Sequence, residues 1–299
     1  MLNVLPSNPE EGVGRFPSWL HRKMPKNSEL IKTMGILNEN RLPTVCEEAR
    51  CPNLLQCWSE QTATFLVMGK ECTRACGFCS IDFSKAPKAP EADEPIRIAE
   101  SVASLGLKHV VITMVARDDL EDGGALHLVQ IMEAIRLRNK ETTIELLTSD
   151  LSGNEEALAT ILEGNPEIFN HNIETVRRLT PRVRHKATYD RTLQMLKLAK
   201  GRVRFIKSGL MVGLGEEVNE VHETLQDLKN AGVDIVTMGQ YLQPENRKLL
   251  VKSFVTPDQF EAYRLYGLQI GIPYMYCGPF VRSSYNAKAV FEAMKQIYG

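Results

Sequence analysis

The chain has 299 residues, of which 43% are hydrophobic and 24% charged, and its formal net charge is −1. These values are typical of a globular protein with a substantial core, and the near-neutral charge argues against nucleic acid or an anionic membrane as a partner. The sequence has no signal-peptide core near its start and no apolar run long enough to cross a membrane, so we expect a cytoplasmic protein.

The first 60 residues predict an irregular extension, because six prolines interrupt any long helix. Its large apolar side chains need burial, so we expect the extension to form a strap packed over the main domain. These side chains are Trp19, Leu20, Ile31, Met34, Leu37 and Trp58.

From about residue 62, short apolar segments alternate with longer amphipathic ones. Nearly continuous apolar strands are typical of a parallel sheet covered by helices. The predicted strands cover residues 64–68, 109–114, 143–147, 168–171, 204–211 and 234–238. The predicted helices between them cover residues 95–105, 125–138, 154–163, 173–180, 189–200 and 217–231.

Six strand–helix units in a row predict right-handed crossovers and an α/β fold, a partial (βα)6 barrel, since a closed barrel of this kind has eight units. A helix over 257–271, a short strand over 272–276 and a terminal helix from about residue 284 complete the chain. We therefore expect an extension (1–60), a barrel (61–276) and a C-terminal closing segment (277–299).

Six of the seven cysteines fall into two triplets, Cys46, Cys51 and Cys57, and Cys72, Cys76 and Cys79. Cytosolic thiols stay reduced, so this pattern favours metal ligands over disulfides. Each triplet offers three thiolates where a four-iron cube needs four ligands, which leaves one iron open to another ligand. Zinc is the alternative, but a structural zinc site takes four protein ligands, and no fourth Cys or His stands at finger-like spacing.

The segment Cys72-Thr-Arg-Ala-Cys76-Gly-Phe-Cys79 follows the first predicted strand, and ligands of such folds gather at the carboxyl ends of strands. It resembles the cluster motif of the radical S-adenosylmethionine superfamily. The resemblance implies a [4Fe–4S] cluster whose open iron binds S-adenosylmethionine and cleaves it to a 5′-deoxyadenosyl radical. Phe78 is either core or a shield for the cluster that also walls an adenine pocket, and we expect Gly77 to permit a tight curl of the loop.

The upstream triplet, in Thr44-Val-Cys46-Glu-Glu-Ala-Arg50-Cys51-Pro-Asn53 and Cys57-Trp58, is similar to the auxiliary-cluster motif of the lipoyl synthase family. The similarity extends to segments 62–65, 117–124, 169–175, 207–216, 239–244 and 278–285. Two segments depart from the family pattern. Thr148-Ser-Asp-Leu151 stands in place of Ile-Pro-Asp-Phe, and Leu55-Gln56 in place of Gly-Glu.

This resemblance implies two [4Fe–4S] clusters, S-adenosylmethionine as cofactor, and insertion of sulfur at carbons 6 and 8 of a protein-bound octanoyl-lysine, with the auxiliary cluster as sulfur donor. The implied partners are an octanoylated lipoyl carrier domain (a 2-oxoacid dehydrogenase subunit or the glycine-cleavage carrier protein), a small-protein electron donor and an iron–sulfur cluster assembly carrier. No nucleic acid and no membrane is expected. The alternatives are another sulfur-inserting radical enzyme and a non-enzymatic iron–sulfur carrier.

The fourth ligand of the auxiliary cluster has two candidates. Chemistry alone favours Cys277, a soft thiolate just before the last turn. The family resemblance points instead to Ser284, in Arg282-Ser283-Ser284-Tyr285. A serine oxygen is a harder and weaker ligand for iron, which suits a cluster that is dismantled during the reaction. We therefore assign a catalytic and metal-binding role to Ser284 and expect Cys277 to be a small buried side chain.

Asn172 and Glu174 follow the fourth predicted strand. They would suit the start of a helix, as N-cap and first-turn carboxylate. The resemblance implies in addition that Asn172 or Glu174 holds the ribose hydroxyls of S-adenosylmethionine, and the position at the carboxyl edge of the sheet favours this role. Of the arginines that follow, we expect Arg184 to clamp the methionine carboxylate in bidentate fashion.

The segment Arg117-Asp118-Asp119 follows the second predicted strand, at the same edge. Its charges have two interpretations. They pair with one another, which contributes little if they are exposed, or they position the substrate near the auxiliary cluster.

Overall fold

The protein is described by a computed structural model that covers residues 16–21, 28–60 and 63–298. The strands, in chain order, are β1 (Thr64–Val67), β2 (Glu71–Cys72), β3 (Asp82–Phe83), β4 (His109–Met114), β5 (Thr143–Leu147), β6 (Ile168–Asn170), β7 (Phe205–Val212), β8 (Ile235–Gln240) and β9 (Tyr274–Cys277). The α-helices are α1 (Ser28–Glu39), α2 (Val45–Glu48), α3 (Leu54–Ser59), α4 (Glu94–Ser104), α5 (Ala125–Arg138), α6 (Glu155–Glu163), α7 (Thr180–Val183), α8 (Tyr189–Ala199), α9 (Val218–Asn230), α10 (Pro257–Gln269) and α11 (Ala287–Tyr298).

Seven of these strands form one parallel sheet in the order β1-β4-β5-β6-β7-β8-β9, with β1 and β9 at its edges. The predicted α/β architecture of a partial barrel is confirmed. The short strand predicted over 272–276 is β9, which pairs with β8 and adds a seventh strand to the six expected. None of the helices that the structure describes is long and apolar enough to span a membrane.

The amino ends of the strands are closed by the terminal helix. Phe291 and Met294 of α11 pack against the first residues of three strands. These residues are Ile168 of β6, Phe205 of β7 and Ile235 of β8. All of these residues are at most 3% exposed. Because apolar side chains fill the amino ends of β6, β7 and β8, the carboxyl ends of these strands are the ones left to form a ligand site.

A polar layer lies inside the sheet between this apolar plug and the carboxyl ends. Lys207 of β7 and Glu145 of β5 are both fully buried, and the ammonium lies 2.9 Å from each carboxylate oxygen. Asn170 donates to the same carboxylate at 2.7 Å. Burial alone would raise the pKa of Glu145, but the Lys207 charge outweighs it and holds that pKa below its ordinary value. The layer therefore consists of charges that neutralise each other.

The helix predicted over 173–180 is wrong. The chain stays irregular after β6, and a helix forms only as the single turn of α7. Glu174 has a left-handed backbone (φ 66°) and bridges in parallel to Leu210 of β7, with its N–H on the Gly209 carbonyl at 2.9 Å. Pairing with a neighbouring strand thus overrides the helix-start pattern of Asn172 and Glu174.

The N-terminal extension is more helical than predicted, since it contains α1, α2 and α3. Leu20, Leu37 and Trp58 are buried as expected, but Ile31 is 71% and Met34 40% exposed, because they lie on the outer face of α1. Trp19 is half-buried. The extension also crosses the edge of the sheet, where Thr44 bridges to Phe65 of β1 and the Leu66 N–H donates to the Pro43 carbonyl. Residues 1–15, 22–27 and 61–62 of the predicted extension and barrel start lie outside the described residues.

Candidate active site

The carboxyl ends of the parallel strands surround a cavity of about 450 Å³, here called the main cavity. Parallel strands all end at one edge, so residues distant in sequence meet there. The structure brings Cys72, Cys76 and Cys79 together on this cavity, with Phe78 beside them. All four side chains are half-buried.

The cysteine loop 72–82 is closed at its base, because β2 and β3 pair in parallel and place Cys72 opposite Phe83. Thr73 fixes the loop to the end of β4, since its N–H and its hydroxyl both donate to the Ala116 carbonyl, at 3.0 and 2.9 Å. Lys186 donates to the Thr73 carbonyl at 3.0 Å. The loop is therefore held in place by both backbone and side-chain hydrogen bonds around Thr73.

Gly77 lies in a turn but does not have a left-handed backbone, so the loop curls without the positive φ that glycine allows. A Cβ at this position would lie 3.0 Å from the Leu249 side chain and 3.4 Å from the Arg182 carbonyl oxygen. The Leu249 N–H also donates to the Gly77 carbonyl at 2.9 Å. A larger residue would be crowded at position 77, because the segment after β8 packs directly against the loop.

Arg74 lies inside the cysteine loop and ties it to two strand ends. Its side chain is 5% exposed, and its terminal nitrogens lie 2.6 Å from Asp118, after β4, and 2.6 Å from Asp150, after β5. Ser152 accepts from it at 3.1 Å. Burial would raise the pKa of both aspartates, but the Arg74 guanidinium outweighs this and holds both pKa values below the ordinary range.

The structure thus separates the charges of the segment 117–119. Arg117 pairs with Asp119, with nitrogen–oxygen distances of 2.8 and 2.7 Å, as one of the two interpretations expected. Asp118 instead faces the cysteine loop through Arg74.

A second cavity, of about 270 Å³ and here called the auxiliary cavity, adjoins the first. Cys46, Cys51 and Cys57 line it, together with Ser284. Cys51 and Ser284 also line the main cavity, so the two cavities meet at these residues. Cys277 borders neither cavity, and burial raises the pKa of its thiol to about 12.

The C-terminal segment reaches both cavities through close packing on β8. A Cβ on Gly239 would overlap the Val281 carbonyl oxygen at 1.9 Å, so only glycine allows this approach. The Asn53 amide donates to the Phe280 carbonyl at 2.7 Å, and the Asn172 amide donates to the Ser283 hydroxyl at 3.2 Å. These contacts join the start of α3, the end of β6 and the C-terminal segment.

Asn172, Glu174 and Arg184 all line the main cavity. Arg184 is buried and donates to the Asn172 carbonyl at 2.7 Å, whereas Arg178 pairs with Glu220 on the surface. Burial raises the pKa of Glu174 above its ordinary value, and the Arg184 charge opposes this shift. Of the arginines in this turn, Arg184 is therefore the one that lines the main cavity.

His171 is a cavity residue that the sequence did not single out. Burial and the Arg184 charge lower the pKa of its imidazole to about 4, so the ring is neutral near pH 7. Its Nδ1 lies 2.9 Å from the Thr148 carbonyl, which can only accept. The proton is therefore on Nδ1, and Nε2 is left as an acceptor. The one available signal was its position between Asn170 and Asn172 at a strand end.

Four buried polar atoms on residues of the main cavity have no hydrogen-bond partner within the described part of the chain. They are Thr148 Oγ1, His171 Nε2, Asn172 Oδ1 and Thr237 Oγ1. Such an atom costs about 1–3 kcal/mol when it is left unsatisfied, so a polar ligand is favoured here. Gly209 keeps space beside two of them, since a Cβ would lie 2.7 Å from Thr237 Oγ1 and 2.9 Å from Asn172 Oδ1. The residues fit a ligand rich in hydroxyl and amino groups, as S-adenosylmethionine is.

The cysteines fit iron–sulfur chemistry. Burial raises the pKa of Cys46 and Cys76 to about 11 and that of Cys79 to about 12, so these thiols form thiolates only where a metal offsets the cost. Among the described residues, no group of three or more His, Cys, Asp or Glu is arranged to hold a single metal ion. A four-iron cube differs, because each thiolate binds a different iron and the ligands surround a volume.

A family model and the sequences of known proteins identify the same kind of protein as similar to this chain. The model of the radical SAM superfamily matches residues 66–239. A lipoyl synthase from Protochlamydia amoebophila is 64% identical to this chain over 99% of it and 94% of the relative. A lipoyl synthase from Chlamydia muridarum is 53% identical, over 97% of this chain and 95% of the relative.

Solved structures with similar folds have little sequence in common with this chain. Methylornithine synthase has a TM-score of 0.56 at 14% identity, over 71% of this chain and 70% of that one. Streptococcus suis SuiB bound to S-adenosylmethionine has a TM-score of 0.57 at 13% identity, over 75% of this chain and 53% of that one. These likenesses support the fold, and the sequence relatives identify the family. The chain belongs to the lipoyl synthase family of the radical SAM superfamily.

Proposed function

We propose that this protein is a lipoyl synthase, which inserts sulfur at carbons 6 and 8 of an octanoyl group amide-linked to a lysine of a carrier domain. The observation that carries the proposal is a pair of adjoining cavities, with Cys72, Cys76 and Cys79 on the first, Cys46, Cys51 and Cys57 on the second, and Cys51 and Ser284 on both. One cavity suits radical generation and the other suits sulfur storage. Their contact allows a carbon in the first to meet a sulfur in the second.

Two [4Fe–4S] clusters fit these residues. Cys72, Cys76 and Cys79 would hold the first, and Cys46, Cys51, Cys57 and Ser284 the second, as an auxiliary cluster. When bound, the first cluster with S-adenosylmethionine supplies a hydrogen-abstracting adenosyl radical, and the auxiliary cluster supplies sulfur.

Residues of the main cavity would bind and orient S-adenosylmethionine. In this proposal Asn172 and Glu174 receive the ribose hydroxyls of S-adenosylmethionine, Arg184 receives its carboxylate and Phe78 walls the adenine. The half-buried or buried position of each on the main cavity supports these roles. A guanidinium and a carboxylate of the ligand form a geometrically specific pair, which fixes the ligand before reaction.

An apolar lining suits the alkyl chain of the substrate. The aliphatic and thioether side chains on the main cavity include Leu66, Met114, Val115, Leu147, Leu210, Met211 and Leu242. Such a surface removes water from around a flexible chain and restricts its conformations, which favours reaction at defined carbons.

The division of the chain follows from these roles. Residues 1–60 carry the auxiliary cysteines, residues 61–276 the barrel, and residues 277–299 close the site with Ser284. The proposed partners are an octanoylated lipoyl carrier domain, a small-protein electron donor and an iron–sulfur assembly carrier. The six thiol ligands need a reducing compartment, which supports a cytoplasmic location.

The decisive experiment uses anaerobically reconstituted protein, a reductant, S-adenosylmethionine and an octanoyl-lysine peptide. We expect about eight iron and about eight sulfide per chain, from two cubes, together with 5′-deoxyadenosine and a peptide that gains two sulfur atoms by mass spectrometry. Absence of 5′-deoxyadenosine would indicate a non-enzymatic carrier. Cleavage without a dithiolated peptide would indicate another radical enzyme.

The fourth auxiliary ligand is tested by a matched pair of variants. Ser284→Ala should lower the auxiliary iron content or its stability and abolish dithiolation, because Ser284 borders both cavities. Cys277→Ala should retain both clusters and activity. The reverse result would assign the fourth position to Cys277.

A further inference from the structure

The residue that follows Ser284 is attached to the helix of the auxiliary cysteines. The Tyr285 phenol donates to the Gln56 side-chain oxygen at 3.1 Å, and Gln56 directly precedes Cys57 in α3. Tyr285 also lines the auxiliary cavity. This contact joins the serine-bearing segment to the cysteine-bearing helix across most of the sequence.

The Tyr285 ring also has an aromatic neighbour, Tyr276. It lies parallel to the Tyr276 ring at β9, with an interplanar angle of 3° and a centroid distance of 6.2 Å. The Tyr276 hydroxyl accepts from the Asn286 amide at 2.8 Å. Asn286 has a left-handed backbone (φ 53°) just before α11 begins, so the chain turns sharply there.

Ser284 therefore lies between two attachments. Upstream, the Phe280 carbonyl is held by Asn53 and Val281 packs on Gly239. Downstream, the attachment is the bond from Tyr285 to Gln56. A serine oxygen is a weak ligand for iron, so its occupancy depends on how well its neighbours keep it in place.

We propose that Tyr285 is a positioning residue for Ser284, and that its bond to Gln56 sets how readily the serine leaves the auxiliary cluster. This inference rests on the proposed function, because it requires an auxiliary cluster with Ser284 as a ligand. Position 56 is also where this chain departs from the family pattern of Gly-Glu. A glutamine gives the tyrosine a neutral acceptor, which forms a weaker bond than a carboxylate would.

The test isolates the auxiliary cluster in the full-length chain by Cys72→Ala, Cys76→Ala and Cys79→Ala. Iron release to bathophenanthroline disulfonate is then followed by absorbance under anaerobic conditions. Tyr285→Phe and Gln56→Leu should each speed release about fivefold, as the loss of one net hydrogen bond implies. The double variant should also show about fivefold, because both changes remove the Tyr285–Gln56 bond, and the second bond lost in Gln56→Leu, from the Gln56 amide to Glu60, is exposed.

Tyr266→Phe is the control, because Tyr266 of α10 stacks on His222 of α9 and lines neither cavity. A role confined to structure would instead lower the unfolding midpoint of the apo chain and leave the EPR spectrum of the reduced cluster unchanged. Release rates within twofold of the parent in both single variants, or a double variant near 25-fold (multiplicative, about five times five), would overturn the inference. A parent chain without iron would overturn the proposed function, and the inference with it.

Discussion

Replacing Arg74 with methionine should weaken the hold of the cysteine loop on the radical-generating cluster. The Arg74 Nε and Nη2 donate to Asp118 at 2.9 and 2.6 Å, and another nitrogen lies 2.6 Å from Asp150. Methionine keeps much of the apolar stem and removes every charge-assisted bond. The loop would then keep its hydrogen bonds to Ala116, Lys186 and Leu249.

The size of the effect follows from what remains around the two aspartates. Removing one partner of a buried pair costs about 3–5 kcal/mol when the other charge is left alone. Here Arg191 still lies 3.1 Å from Asp150, Lys186 lies 3.7 Å from Asp118, and the Asp118 side chain is 21% exposed. We therefore expect about 2–3 kcal/mol, which raises the population of the detached loop roughly 30- to 160-fold.

The assay uses a chain with Cys46→Ala, Cys51→Ala and Cys57→Ala, so that only the first cluster binds. Iron retained after gel filtration and the rate of 5′-deoxyadenosine formation should both fall strongly in Arg74→Met. Arg74→Lys should be intermediate, because it keeps the charge but not the planar fork. Arg178→Met, a surface change, is the matched control. Iron content and rate within twofold of the parent in Arg74→Met would refute the reasoning.

Three further outcomes follow from the site. Cys51→Ala should still cleave S-adenosylmethionine but give no dithiolated peptide by mass spectrometry, and normal lipoylation would contradict the donor role. Lys207→Met should lower the free energy of unfolding in urea by about 3–5 kcal/mol, because Glu145 loses its buried partner; adding Glu145→Gln should restore most of it, and no recovery would contradict the pairing. The pKa of His171 is lowered from 6.5 to about 4, so its contribution to stability is present above pH 6.5 and is lost as the pH falls toward 4. His171→Gln should therefore flatten the fall in urea midpoint between about pH 7.5 and about pH 5, and an equally steep fall would contradict the assignment.

The sheet was predictable from sequence because its strands are buried on both faces. The segments predicted over 109–114 and 143–147 coincide with β4 and β5, whose residues are all or mostly buried. Such continuous apolar runs need no knowledge of their neighbours. The two cysteine triplets were equally readable, since short spacing alone keeps each set close together.

The sequence predictions that were wrong or missing concern residues whose positions depend on contacts between segments distant in the sequence. The pattern at Asn172 and Glu174 suits a helix start, but β7 offers the backbone a partner that the local sequence does not reveal. The ion pairs of Arg74 could not be predicted, because a lone arginine in a loop gives no sign of the two aspartates that follow other strands. Ile31 and Met34 looked like core residues because apolar character does not indicate which face of a helix is covered.

Cys51 and Ser284 lie far apart in the sequence, yet each of them lines both cavities. During translation the cysteine triplets and all the strands emerge before Ser284 does. A chain that stopped shortly after β9 would lack both α11, which packs on the amino ends of β6, β7 and β8, and the Ser284 side of the auxiliary cavity. The segment that follows β9 therefore supplies one wall of the auxiliary cavity, and the cavity is complete only once that segment has been made.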